Sequence, residues 1–380
     1  MSRTVGETNR KKMHSYYDYS LLFLILFLVC FGLVMIYSTS SYNAQRVYEN
    51  ATHYLERQAL FAGAGILVML FVSKIDYRVY MTNLPVIKIK PITILYFLCI
   101  GLQIYVLIFG SVINGAKRWI DLGPLGNFQP SELTKIAVIL FCSYIVNLAP
   151  RKLDKFGGFV RVVIFIMPLL GLIVIENFST ALVIAVIMVS ICFVASKKKA
   201  YFIISGLLFS GLGAIFIFFV SYRSERITVW LNVETAPKGY QILQGLYAIA
   251  SGGIFGKGLG ESMQKLGFIP ESHNDMIFSV ICEELGLFGA FALILLFILL
   301  IWRIFIIAIN ASDLFGGLIA TGVLAHIAIQ VLINIAVVTN TIPSTGIPLP
   351  FISYGGSSVM VILFEMGIVL SISNQIKGER

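Results

Sequence analysis

Long apolar runs separated by short polar segments organise this chain. A bilayer core of about 30 Å takes roughly 20 apolar residues at 1.5 Å rise each. Ten runs approach that length: 19–38, 58–74, 91–110, 132–149, 161–176, 180–196, 201–220, 276–301, 315–338 and 351–373. The fifth and sixth are short and meet at Glu176-Asn-Phe178, which predicts a tight helical hairpin. The first is too long for the apolar region of a cleavable signal, and no small-residue cleavage site follows it. The pattern predicts an all-α polytopic membrane protein, a single integral-membrane domain over 1–380 with ten transmembrane helices.

Ten spans put both termini on one side, and Lys and Arg in short loops choose which side faces the cytoplasm. With the N-terminus inside, 18 of the 28 Lys and Arg residues fall in cytoplasmic segments. Five of the other ten sit in one long loop, where the rule has little force. Both termini are therefore expected to be cytoplasmic, with residues 1–17 a basic tail. Four outward stretches remain, 39–57, 111–131, 221–275 and 339–350. The third is rich in Tyr, Leu and Gly and predicts a structured extracytoplasmic loop. Its segment 240–250 is apolar but too short to span, as in a re-entrant or interfacial helix.

Composition agrees. Only 12% of residues are charged and 58% are hydrophobic, against roughly 25% charged in soluble domains. The net charge of +9 would raise nucleic-acid binding in a soluble chain. Here the basic residues lie between apolar runs, so they read as topology signals and no nucleic-acid partner is expected. The five cysteines all lie in apolar runs and behave as small hydrophobes.

Three stretches carry candidate chemistry. Phe268-Ile-Pro-Glu-Ser-His-Asn-Asp275 precedes the eighth run. Asn274 or Asp275 there would suit a helix cap. The same carboxylate at the outer water–lipid boundary would also suit a general base. Glu283 and Glu284 lie about 12–14 Å further along a helix. Being adjacent they cannot both face one site, so one is expected to be structural. The second stretch is Asn114-Gly-Ala-Lys-Arg-Trp-Ile120, followed by Gln129-Pro-Ser-Glu132. Lys117 and Arg118 lie outside, against the positive-inside trend, and suit an anion such as pyrophosphate. Trp119 suits either an interface anchor or a site wall. Pro130 opens a helix on which Glu132 and Lys135 share a face at i,i+3, either as a self-satisfied ion pair or as a polar cavity wall. The third stretch, Pro343 to Ser358, is too rich in Pro and Gly for regular helix. It places Ser353, Tyr354, Gly355, Gly356 and Ser357 at a cavity or a close helix contact. Gly253-Ile-Phe-Gly-Lys-Gly-Leu-Gly260 looks phosphate-friendly but lacks the P-loop order and faces outward, so no nucleotide is expected. The four histidines are scattered and mark no metal cluster.

Together and in this order, Asn114–Ile120, Gln129-Pro-Ser-Glu-Leu-Thr-Lys135, Phe268–Asp275, Glu283-Glu-Leu-Gly286 and Pro348-Leu-Pro-Phe-Ile-Ser-Tyr-Gly-Gly-Ser357 resemble the SEDS family (shape, elongation, division and sporulation) of RodA/FtsW type, over nearly the whole chain. The motif wording leans to the division branch. The resemblance implies a multi-pass glycosyltransferase of the cytoplasmic membrane that polymerises lipid II into peptidoglycan strands at the outer face. Its implied partners are a class B penicillin-binding protein and other divisome or elongasome membrane proteins. Flipping lipid II, or acting only as a scaffold, are the alternative roles. The resemblance assigns the family's essential aspartate to Asp275, its cavity pair to Glu132 and Lys135, and its loop tryptophan to Trp119. With Lys117, Arg118, His273, Ser353 and Ser357 these are the expected substrate-binding residues. An α-linked pyrophosphate donor giving a β-linked product implies one inverting displacement. That step needs a base on the acceptor hydroxyl, and cations or a divalent ion (Mg or Mn) on the leaving pyrophosphate. The chain departs from the family where Asn177 stands in place of the usual Asp, next to Glu176.

Overall fold

The computed structural model describes residues 17–85, 87–113, 116–123, 126–200, 202, 221–236 and 239–376. Among them nine helices are long and apolar enough to cross a membrane. We number them with the shorter elements: α1 (Tyr19–Tyr48), α2 (His53–Val72), α3 (Pro91–Phe109), α4 (Pro130–Leu148), α5 (Phe156–Glu176), α6 (Phe178–Ala195), α9 (Ile277–Ile309), α10 (Leu314–Val338) and α11 (Gly356–Asn374). The seventh expected span, 201–220, lies outside the described residues except for Phe202, as do residues 1–16 of the basic tail. Helices α4, α10 and α11 bury most of their surface and form the centre, while α2, α3, α5 and α9 turn broad apolar faces outward.

The bundle has two distinct ends. At one end Arg303 pairs with Asp18 at 2.7 Å, Arg78 pairs with Asp313 at 2.7 Å, and Ser371 donates to the Ile75 carbonyl. At the other lie three short strands, β1 (Ser111–Ile113), β2 (Ala116–Asp121) and β3 (Asn127–Phe128), with two further helices, α7 (Ser221–Leu231) and α8 (Tyr240–Gly252). The strands form one antiparallel sheet in the order β1-β2-β3, pairing Val112 with Lys117 and Ile120 with Phe128.

Helix α1 continues ten residues beyond its apolar run, so the outward stretch expected at 39–57 contracts to a tight turn before α2. Its Ser-rich end is helical because Ser40 and Thr39 return hydrogen bonds to the Ile36 carbonyl and Ser38 finds a distant carboxylate, Glu284.

Helix α9 breaks at Gly286, where φ is 68°. Residues 253–258 fill the break. Lys257 and Gly258 donate backbone N–H groups to Glu283 and Glu284 carbonyls, and Leu287 and Phe288 donate back to Gly253 and Ile254. The backbones meet so closely that a Cβ at Gly256 would lie 2.2 Å from the Glu284 carbonyl oxygen, and one at Gly286 would lie 2.3 Å from the Gly256 nitrogen. The glycine run is therefore a helix–loop weld. Both glutamates fall before the break, and their carboxylates are held by residues 251–265 and by Ser38 of α1. Glu283 takes Lys257 Nζ at 2.6 Å, the hydroxyls of Ser251 and Ser262, and the backbone N–H groups of Met263 and Gln264. Glu284 takes Lys265 Nζ at 2.8 Å and the Ser38 hydroxyl at 2.7 Å. Both are thus structural, and the part of α9 beyond Gly286 is alone long enough to span.

This arrangement puts 221–275 on the face opposite the basic clusters. A cysteine replacing exposed Glu261 should react with an impermeant maleimide in whole cells. Labelling only after lysis would invert the topology.

Candidate active site

At the strand-bearing end, α2, α4, α10, α11, the β-sheet and the loops before α9 and α11 enclose a partly open cavity of about 1710 Å³. Five cations line it: Arg57, Lys117, Arg118, Lys135 and Arg226. Four carboxylates join them: Glu132, Glu176, Glu271 and Asp275. Sheet pairing holds β2 so that Lys117, Arg118 and Trp119 reach the wall. Trp119 is a cavity residue, with the Arg118 guanidinium 5.7 Å from its ring, and not an isolated interface anchor. The Lys117 ammonium donates to the Ile108 carbonyl at the end of α3, which fixes the charged head beside the wall.

Helix α4 begins at Pro130, so Glu132 falls in its first turn, where a carboxylate suits the helix dipole. Lys135 reaches it at 2.9 Å, and both side chains are almost wholly buried in the wall. The cavity-wall and ion-pair readings are thus both realised in one feature.

Asp275 lies two residues before α9, whose cap position is Met276 with no side-chain cap bond. The capping expectation fails for it. The helix starts later because residues 270–276 form turns held from outside, and the carboxylate faces the cavity instead. Desolvation raises its pKa to about 6, with Glu271 adding to the rise and Arg226 and Arg118 opposing it. Two non-glycine residues near this point have positive φ, Glu271 (49°) and Phe351 (65°). Such conformations persist only where surrounding contacts over-determine them.

Ser357 lines the cavity, whereas His273 and Ser353 do not. His273 is buried against the Tyr54 and Tyr354 rings, at 4.4 and 5.5 Å between centroids, and burial pushes its pKa down to about 4. It packs as a neutral aromatic ring. The Ser353 hydroxyl accepts from the Leu349 N–H and donates to the Asn274 carbonyl, both at 2.8 Å, so it braces the loop under Asp275. Asn177 caps α6 by accepting from Thr180. Asparagine and aspartate cap about equally well, so the departure from the family pattern leaves the α5–α6 hairpin intact. Glu176 lines the cavity within electrostatic reach of Arg118 and Lys117.

Sequence reading missed Arg57 and Arg226 as cavity residues. Arg57 lies within electrostatic reach of the Tyr354 hydroxyl, and Arg226 donates to the Ser344 carbonyl at 2.8 Å. Both belong to the ten cations outside the positive-inside count, the same signal that marks Lys117 and Arg118. Among the described residues no three metal-ligating side chains converge. A divalent ion here would rest on substrate phosphates with one or two of the cavity's carboxylates, the usual arrangement for Mg²⁺.

Fold and cavity define a polytopic α-helical membrane protein with a cation-lined chamber at one end. A family model described as "Cell cycle protein" (FTSW_RODA_SPOVE) matches residues 19–378, and the chain belongs to that family. It is 38% identical to a probable peptidoglycan glycosyltransferase FtsW of Trichlorobacter lovleyi, over 95% of this chain and 94% of that protein. It is also 38% identical to the stage V sporulation protein E of Bacillus subtilis, over 94% and 96%. Among solved structures it resembles a chain of a peptidoglycan synthase complex that coordinates polymerization and crosslinking (TM-score 0.78, 27% identity, 96% of this chain and 99% of that one). It also resembles the rod shape determining protein RodA of Thermus thermophilus (TM-score 0.69, 25% identity, 98% and 100%). The chain is a multi-pass protein of the cytoplasmic membrane.

Proposed function

We propose that this chain is a peptidoglycan glycosyltransferase that polymerises lipid II at the outer membrane face, with Asp275 as general base. The relatives' activity supports the reaction class. The observation that carries the site assignment is a desolvated carboxylate facing a chamber lined by five cations. In the reaction, the acceptor sugar's 4-hydroxyl gives its proton to Asp275 while its oxygen bonds to the donor's anomeric carbon. The bond from that carbon to the pyrophosphate oxygen breaks on the opposite face, which inverts the centre. Lys117, Arg118 and Arg226 take up the charge developing on the leaving pyrophosphate, where preorganised cations in a water-poor site act most strongly. A bound Mg or Mn ion would add neutralising charge there. The apolar lower wall accepts the start of the polyprenyl chains. A class B penicillin-binding protein is the crosslinking partner this reading calls for, by likeness to the synthase complex.

The pH dependence tests the base. Asp275 must be ionised to act, so polymerisation should fall as pH drops through about 6. At pH 5 roughly a tenth of the plateau rate should remain for such a base. A carboxylate at its ordinary value near 3.8 would leave the rate at pH 5 almost unchanged. Initial rates of glycan synthesis from lipid II by the purified protein–partner complex decide between these.

A further inference from the structure

We infer that Asn334 is a positioning residue for Asp275, aiming the carboxylate by clamping its backbone; this rests on the reading of Asp275 as the base. Helix α9 does not set that aim, since it begins at Ile277. The peptide groups of 273–275 set it, and three consecutive carbonyls there are each held by a donor from elsewhere in the fold. The Tyr354 N–H donates to the His273 carbonyl at 2.9 Å. The Ser353 hydroxyl donates to that of Asn274 at 2.8 Å. The Asn334 side-chain amide donates to that of Asp275 itself at 2.8 Å. The second hydrogen of that amide goes to the Ile347 carbonyl at 2.9 Å.

The Ile347 bond matters because its neighbour, Gly346, faces the Asp275 carboxylate. A Cβ built on Gly346 would lie 4.0 Å from Oδ2. One buried amide, 1% exposed, thus fixes both the base and the wall opposite it. One turn earlier on α10, Gln330 lines the same cavity, so Asn334 also sets the base relative to that wall. Four residues before the base, Glu271 holds its positive φ, a conformation the segment would leave if the clamp were released. No other common side chain of this size offers two N–H groups from one atom. Aspartate would turn two acceptors onto two carbonyls, and alanine would offer none.

The test uses the full chain with its partner and lipid II, comparing Asn334→Ala and Asn334→Asp with wild type. Misplacing a reacting group by about 1 Å costs on the order of 100-fold, so kcat should fall about 10- to 100-fold with KM little changed. The acid limb of the pH–rate profile should move below about 6, because a loosened segment hydrates the carboxylate while Glu271, Arg226 and Arg118 still face it. Ser353→Ala, which removes the Asn274 bond and the acceptor of the Leu349 N–H but leaves the Asp275 carbonyl held, should give a smaller change in the same direction, and it decides the matter if neither Asn334 variant folds. Wild-type kcat with an unmoved acid limb overturns the inference. So does a loss of rate that merely follows a loss of melting temperature with the limb in place. Asp275→Asn in the same assay separates the two claims. If it polymerises normally, the base assignment and this inference fall together. If it is inactive while the Asn334 and Ser353 variants behave as wild type, only this inference falls.

Discussion

Asp275→Asn should lose lipid II polymerisation by 10²- to 10⁴-fold, the usual worth of a general base, while the protein melts no lower than wild type. The change keeps the side chain's size and removes only its charge and proton affinity. No capping bond is lost, since Asp275 makes none to α9. The sign of the stability effect follows from the raised pKa. A carboxyl held near 6 when folded and 3.8 in its ordinary state binds its proton more tightly in the native protein. Ionising it therefore costs stability, beginning above pH 3.8 and reaching its full extent above about 6. Asparagine avoids that cost at neutral pH. Glycan synthesis by the purified complex, measured with its melting curve, checks both halves. A variant that melts normally and polymerises at the wild-type rate would remove Asp275 from the chemistry. One that cannot polymerise yet still carries lipid II across vesicles would reveal a separate transport activity.

The second large effect concerns Glu132 and Lys135. Lys135→Met should destabilise the fold by about 3–5 kcal/mol, because it leaves a buried carboxylate without its partner, and such a result alone would say nothing about substrate. Reversing the pair, Glu132→Lys with Lys135→Glu, keeps opposite charges at i,i+3 on a buried face. It moves an ammonium into the first turn of α4, a helix-dipole penalty of about 0.3–1 kcal/mol. The swapped protein should fold with a modestly lower melting temperature and polymerise at least 100-fold more slowly, because the cavity's charge pattern is inverted at one wall. Full activity in the swap would show that only the mutual attraction of the two side chains matters.

What the sequence makes legible follows from which constraints are local. Spans are readable because hydrocarbon demands about 20 apolar residues whatever the fold, and the described helices follow the expected runs closely. Helix ends are less so. The polar turns of α1 are held partly by distant groups, since Glu284 accepts the Ser38 hydroxyl and the Ser272 hydroxyl donates to the Thr39 carbonyl. The small β-sheet has one local mark in the sequence, Asn114-Gly115 after the β-branched Val112 and Ile113, a hairpin signal. Strands this short hold too few residues for an alternating pattern to stand out beside membrane spans. At the site, Asp275, Glu132, Lys135 and Trp119 were found through motif wording. His273 and Ser353 share those motifs yet serve the packing and bracing of the loop. Nothing in the spelling of a motif separates a residue that faces the cavity from its neighbour that holds the backbone. Arg57 and Arg226 could be singled out from the other outward cations only once the fold made them converge.

The bond between Ser38 and Glu284 joins residues 246 positions apart, and this has a consequence for how the protein is made. At about 5–20 residues per second of synthesis, α1 waits on the order of 10–50 s in the membrane before its partner emerges. A carboxylate waiting that long in hydrocarbon without a partner would be costly. The chain instead places the hydroxyl first. Serine and threonine can return their hydrogen bonds to the helix that carries them, as Ser40 and Thr39 do. Lys265 precedes Glu284 by only 19 positions, so the charge arrives close behind its counter-ion. Order of appearance along the chain thus brings Glu283 and Glu284 into the membrane close behind their counter-ions, and the outer half of the molecule closes only after α9 has been delivered.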